Sequence, residues 1–298
     1  MLFRSQFPDS LEAIYLKEFD RLEVRQKQML FEASVFGTNV SVNLVDKLGS
    51  FREKEIREMS GELSGKGFIR IDESGKRPYL VFSDTLLYEA IYNLAPFSLK
   101  RDLHKNIFNK LLEIEGDGKP SLLPYLAHHS EKAGDRDNAV KFHRLAGRYY
   151  LEKYDNISAM KHFDFIFQND AISADYFKDT FSLMDIYLGI GKFNEMTALL
   201  EKLWPLKENM DPRSLSSLYN LESEKNIRER DVQKAEDNLI QSLKIATENN
   251  DHFGMARALL NLVGRVYGPT GRHEEGKKSL EILLALPKYK DISVFKVV

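Results

Sequence analysis

In a sequence of 298 residues without a single cysteine, histidine and the carboxylates are the side chains left to ligate a metal or move a proton. Their spacing offers little. His128 and His129 are neighbours on one predicted helix, so their side chains leave the axis about 100° apart, which disfavours shared ligation. His143 and His162 each stand alone among helical positions, and packing or surface roles are expected for all four. Paired carboxylates such as Glu274 and Glu275 are common on solvated helix faces, and no Gly-x-Ser-x-Gly elbow or other nucleophile signature is present. The nearest approach to a phosphate-binding loop, Gly271-Arg-His-Glu-Glu-Gly-Lys-Lys278, puts Lys278 where the magnesium-binding hydroxyl belongs and lacks a preceding strand. Gly116-Asp-Gly-Lys119 is shorter and reads as a linker. The expectation is therefore no catalytic, cofactor-binding or metal-binding residue, and no enzyme.

The elements that would position any functional group fall into two textures, changing near Ser83. Asp9 and Ser10 cap a predicted helix carrying Leu11, Ile14 and Leu22, and a second runs from about Val24 to Phe36, where Gly37 stops it. Ser41 to Leu48 reads as a short helix and Arg52 to Lys66 as a third, with Ile56, Met59 and Leu63 at helical spacing. Phe68 to Ile71 and Tyr79 to Phe82 then read as a two-stranded hairpin around Gly75. Three short helices followed by a two-stranded wing is winged-helix order.

Beyond Ser83 the pattern is almost purely helical. Pro96 breaks one helix, and Leu99, Leu103, Ile107, Leu111 and Ile114 mark the stripe of the next. Then a phrase recurs: a turn residue followed five positions later by a small or slim one. It occurs as Gly134 with Ala139, Tyr154 with Ala159, Gly191 with Met196, Arg230 with Ala235 and Gly271 with Gly276. After a first step of 20 the phrases return at 37, 39 and 41 residues, near the period of about 34 to 40 of stacked TPR-type helical hairpins. Each first helix carries a stripe, such as Phe177, Phe181, Met184 and Leu188, that only a partner helix can bury. The predicted fold is mainly α: a linker helix over 1–23, a winged-helix-like module over 24–82, connecting helices over 83–118 and a TPR-like α-solenoid over 119–298.

Such arrays bind extended peptides or helices in a groove lined by first helices. The candidate partner-binding residues are Tyr149, Tyr150, Lys153, Tyr187, Tyr219, Asn220, Glu224, Asn261, Arg265 and Tyr267, with the competing reading that aromatics at these steps are core. The third helix carries Glu53, Glu55, Glu58 and Glu62 against Arg52, Lys54, Arg57 and Lys66, a balance that disfavours a phosphate groove, although Arg70, Lys76 and Arg77 on the wing are basic. Over the whole chain 43 Lys and Arg face 45 Asp and Glu, so nucleic acid and anionic membranes are not expected partners.

The runs Pro8-Asp-Ser-Leu-Glu-Ala-Ile, Leu30-Phe-Glu-Ala-Ser-Val-Phe-Gly37, Phe82-Ser-Asp-Thr-Leu-Leu-Tyr-Glu-Ala-Ile-Tyr92, Arg101-Asp-Leu-His104 and Leu126-Ala-His-His-Ser-Glu-Lys-Ala-Gly-Asp135 carry a resemblance. They are similar to the region that follows the nucleotide-binding domain in STAND-type signalling ATPases, including MalT-like regulators and the ATPase modules attached to bacterial nucleotide cyclases. The resemblance covers roughly residues 8 to 170, and the position held by Asp84 is usually His in those relatives. It implies a sensor arm: the hairpins receive a ligand or partner and the winged-helix module passes the signal to an ATPase, a domain that has no counterpart in this sequence.

The expected role is thus a regulatory, protein-interaction region binding a protein, a peptide or another part of its own polypeptide. A self-contained TPR adaptor and a DNA-binding regulator are the alternatives. No apolar run approaches a membrane span, and a cytoplasmic location is expected. Met1 falls a few residues before the recognisable module, consistent with an excised fragment or a split gene product. The apolar tail of Ile292, Val294, Phe295, Val297 and Val298 reads as an interrupted repeat or a docking segment for a second copy.

Overall fold

The computed structural model describes residues 9–115 and 119–287. The Gly116 to Gly118 part of the predicted linker, the first eight residues and the apolar C-terminal tail lie outside the described residues. The chain is mainly helical with one small antiparallel sheet, and it divides into two compact units, Met1–Ala146 and Gly147–Val298.

In the first unit, α1 (Asp9–Asp20) and α2 (Val24–Phe36) are followed by β1 (Asn39–Ser41), α3 (Val42–Leu48), α4 (Glu53–Gly65), β2 (Ile69–Asp72) and β3 (Tyr79–Phe82). Local signals set these bounds. The Gln26 side chain accepts from the Glu23 amide at 3.3 Å and that of Glu55 from the Arg52 amide at 3.0 Å, so at the start of α2 and of α4 a side chain three residues on reaches back to the N-cap amide. Gly37, at φ 122°, ends α2 in a conformation closed to side chains with a Cβ.

The sheet differs from the expected two-stranded hairpin. It has three strands in the order β1-β3-β2, with Val40 opposite Leu80 and Ile71 opposite Leu80 on the other side. Ser41, expected to open a helix, ends β1 and stands immediately before α3. The physical reason is long-range: Asn39–Ser41 has no strand pattern of its own and is extended because the free edge of β3 needs partners for its amides. Met29, Leu30, Val45, Ile56, Leu63, Phe68, Leu80, Leu87 and Ile91 form one buried core beneath it. α5 (Thr85–Leu94) starts where Asp84 accepts from the Leu86 amide at 2.6 Å; α6 (Phe97–Glu115), a short 3₁₀ turn, α7 (Leu123–Lys132) and the start of α8 (Arg136–Glu152) complete the unit.

The second unit comprises the end of α8, then α9 (Asn156–Asn169), α10 (Ala174–Gly189), α11 (Phe193–Leu203), α12 (Pro212–Arg228), α13 (Val232–Glu248), α14 (His252–Asn261) continued by a π turn over Leu262–Tyr267, and α15 (His273–Ala285). The recurrent phrase has a structural meaning. Gly134, Tyr154, Gly191, Arg230 and Gly271 all sit at positive φ, between 59° and 78°. After each of them the next amide reaches back to a carbonyl five residues behind it in the closing bond of a Schellman cap, for example Asp155 to Tyr150 at 2.9 Å and Asp231 to Asn226 at 2.9 Å. Asn250, at φ 53°, makes the same turn without belonging to the phrase. The slim residues Ala139, Ala159, Met196 and Ala235 are buried where consecutive helices meet. No helix among the described residues is long and apolar enough to cross a membrane.

Candidate functional site

In the second unit a concave cavity of about 570 Å³ is lined by the N-terminal parts of α10, α12 and α14 together with Ser242 of α13. Helical spacing assembles it. Asp175, Lys178, Ser182 and Asp185 form one face of α10; Arg213, Ser216, Ser217 and Asn220 one face of α12; Phe253, Gly254 and Arg257 one face of α14.

Most of its charges are already paired. The Arg257 guanidinium holds Asp185 with two hydrogen bonds, one of them 3.0 Å, and so ties α14 to α10. Arg213 binds Asp251 at 3.1 and 3.3 Å, which raises the Arg213 pKa further. Arg148 reaches both Asp175 at 3.2 Å and the buried Asp179 at 3.1 Å. Burial alone would raise the Asp211 pKa, but hydrogen bonds from the Ser214 hydroxyl and amide and from the Arg213 amide hold it below the ordinary value. The hydroxyls of Ser216 and Ser242, both buried, donate to each other's carbonyls at 3.0 and 2.9 Å and clasp α12 to α13. No ion pair is found for the exposed Lys178 among the described residues, and Phe253 is 58% exposed.

Asn220 is the unsatisfied member. It is buried and its Oδ1 accepts from the Asn261 amide at 2.9 Å, while its own Nδ2 finds no acceptor among the described residues.

Of the residues expected to line a groove, Asn220 lines this cavity. Glu224, Asn261 and Arg265 continue the same faces of α12 and α14 beyond it, with Arg265 3.5 Å from Glu224. Tyr187 is buried and donates its hydroxyl to Asp164 at 2.8 Å; burial and that carboxylate push its pKa up. Tyr267 is buried beneath the Arg272 guanidinium, 4.7 Å from its ring centroid. Tyr219 packs edge-on against Trp204, Tyr150 stacks on His162, Tyr149 lies tilted against Tyr150, and Lys153 is exposed at the end of α8. Lys178, Asp185, Arg213 and Arg257 were not expected. Asp175, Lys178 and Asp185 fall on one face of α10 as charges on an ordinary solvated helix do, and Arg213 and Arg257 are each the one charged lining residue of their helix, so spacing alone does not mark them.

A second constellation lies in the first unit. His128 and His129 diverge on α7, yet His104 of α6 joins both of them, and one ligand atom from each ring lies within 4.8 Å of the others. His104 Nδ1 is 2.9 Å from His129 Nδ1, and the Tyr92 hydroxyl is 3.2 Å from His104 Nε2. His104 and His129 are buried while His128 is exposed. Burial, then the neighbouring His128 and Lys132, hold His104 at about 3; burial, then His104 and His128, hold His129 at about 3. Desolvation by the surrounding protein, then Lys132, lowers His128 as well.

No family model matches the chain, and no curated protein matches it. Among solved structures it is similar to the Signal Transduction ATPase with Numerous Domains (STAND) protein with a tetratricopeptide repeat sensor from Pyrococcus horikoshii, at a TM-score of 0.40 and 13% identity. That match covers 97% of this chain and 48% of the other, so the chain spans about half the length of that protein.

Proposed function

We propose that this chain is a non-catalytic regulatory region that binds a protein segment in the α10, α12 and α14 groove, and that it belongs to a STAND-like signalling protein. The observation that carries the binding reading is the open cavity of about 570 Å³ lined by α10, α12 and α14, where the exposed Lys178 and Phe253 stand beside Asn220. For an extended peptide Lys178 supplies a cation for an acidic side chain and Phe253 an apolar wall, with Asn220 in the lining between them. The turn grammar of the helical hairpins supports an array of TPR type, and the order α2, β1, α3, α4, β2, β3 supports a winged-helix module before it. The sequence resemblance of residues 8 to 170 supports the STAND assignment.

The test is selection of peptides from a random display library on the full chain, followed by fluorescence anisotropy against the parent, Asn220→Leu and Lys178→Glu. Peptides seated in the groove bind each variant about tenfold more weakly, the equivalent of one hydrogen bond to a buried or charged group. Undiminished binding to both variants, or no enriched peptide, overturns the reading.

A further inference from the structure

The three histidines on α6 and α7 are arranged as ligands are. Their ring centroids stand 5.1, 5.2 and 5.4 Å apart, close to an equilateral triangle. An ion holding three imidazoles tetrahedrally at about 2.0–2.1 Å sets their centroids about 5.2 Å apart, so the ring centres already stand at that separation, and rotation of the exposed His128 ring brings its nitrogen to the ion. We propose that His104, His128 and His129 form a binding site for a divalent transition-metal ion of zinc type, joining α6 to α7 within the first unit.

Ligand chemistry selects that class. Three neutral nitrogen donors, with no carboxylate among them, suit zinc, cobalt or nickel and disfavour calcium and magnesium, which require oxygen. The surroundings supply an outer shell. When His104 Nε2–H donates to the Tyr92 hydroxyl at 3.2 Å, the tautomer with a free Nδ1 lone pair is fixed, and that lone pair faces His129. In the metal-free protein His129 Nδ1–H then donates to it at 2.9 Å; on binding, the His129 proton moves to Nε2 and the ion takes the position between the two rings. The exposed His128 provides the approach from solvent and leaves the fourth position to water. Lys132 lies close by and opposes a cation, but it is paired with Glu131 at 2.9 Å, which softens its field.

A buried hydrogen-bonded cluster that merely packs is the competing account, and the two differ in measurable ways. The untagged full chain, stripped of metal by a chelator, is titrated with Co²⁺ and followed by its visible ligand-field absorption, then back-titrated with Zn²⁺. The expected result is a tetrahedral spectrum saturating at about one equivalent, displaced by Zn²⁺, and a higher melting temperature with Zn²⁺ than without it. His128→Asn removes an exposed ligand and leaves the buried pair and the metal-free melting temperature in place, while metal affinity falls about tenfold or more. An absence of saturable absorption overturns the proposal, and so does a His128→Asn variant that binds Co²⁺ as tightly as the parent.

Discussion

Gly147 shows how little room the helices leave one another. A Cβ built there meets the ring of Phe163 at 2.9 Å, and Phe163 is fully buried in the core of the second unit. Alanine favours a helix over glycine by about 1 kcal/mol, whereas forcing a methyl group into a packed core costs about 1–3 kcal/mol, so crowding wins. Gly147→Ala is expected to lower the urea midpoint; an unchanged midpoint would mean that Phe163 yields freely. Titration acts at the same scale. A hydrogen bond from the Ser158 amide holds Asp155 below its ordinary value of 3.8, and the bonds Asp231 receives from the side chain and amide of Lys234 do the same there. A carboxylate lowered on folding stabilises the native state above its unfolded pKa and loses that contribution as pH falls through the folded value. Stability should therefore drop on acidification from about pH 5 to about pH 3, and Asp231→Asn, which caps without titrating, should flatten that slope. Denaturant midpoints at the two pH values decide it: equal slopes for parent and variant would remove Asp231 from the acid response.

Between helices the decisive device is the left-handed turn residue. Arg230, at φ 62°, holds a conformation that costs a residue with a Cβ about 1–2 kcal/mol, and Gly191 holds the same conformation at φ 78° without that cost. Arg230→Gly should stabilise the chain by about 0.5 kcal/mol once the greater freedom of glycine in the unfolded state is subtracted, and Gly191→Ala should destabilise it by about 1 kcal/mol. Paired equilibrium denaturation curves measure both signs; a destabilised Arg230→Gly would show that the arginine side chain outweighs its backbone strain. These turns were legible in the sequence because the Schellman cap makes a local demand on one residue and the next. β1 was not, since its three residues are extended only by pairing with β3, far along the chain. The groove was legible in part. Asn220, Glu224, Asn261 and Arg265 follow helical spacing on first helices, but Asp185 and Arg257 gain meaning from each other across two helices, and periodicity within one helix cannot display that. The histidine triangle failed for the same reason: two rings about 100° apart on α7 do diverge, and a third from α6 reaches both.

At the scale of the whole chain, charge decides which macromolecule is met. The formal net charge is −2, and the helix that would read a duplex has its cations committed elsewhere. Arg57 is bound by Glu53 at 2.8 Å and Glu73 at 2.6 Å, Arg52 by the carbonyl of Asp46 at 2.7 Å, and Lys54 stands 3.9 Å from Glu58. The two hydrogen bonds at Arg57 raise its pKa further, and Arg25 of α2 neutralises Glu55. Contact with a phosphate backbone would require breaking these pairs while bringing Glu53, Glu58 and Glu62 toward like charge, and affinity for DNA grows with the number of phosphates neutralised. The full chain is therefore expected to bind duplex DNA no more tightly than the nonspecific range of about 10⁻⁴–10⁻⁶ M at physiological salt, with a shallow dependence on salt concentration. Fluorescence anisotropy of a labelled random-sequence duplex, repeated at low and physiological salt, measures both quantities. Nanomolar binding with a steep salt slope would assign α4 to the major groove and make the acidic pairs a switch that DNA opens, whereas weak, shallow binding leaves α4 as a surface for protein.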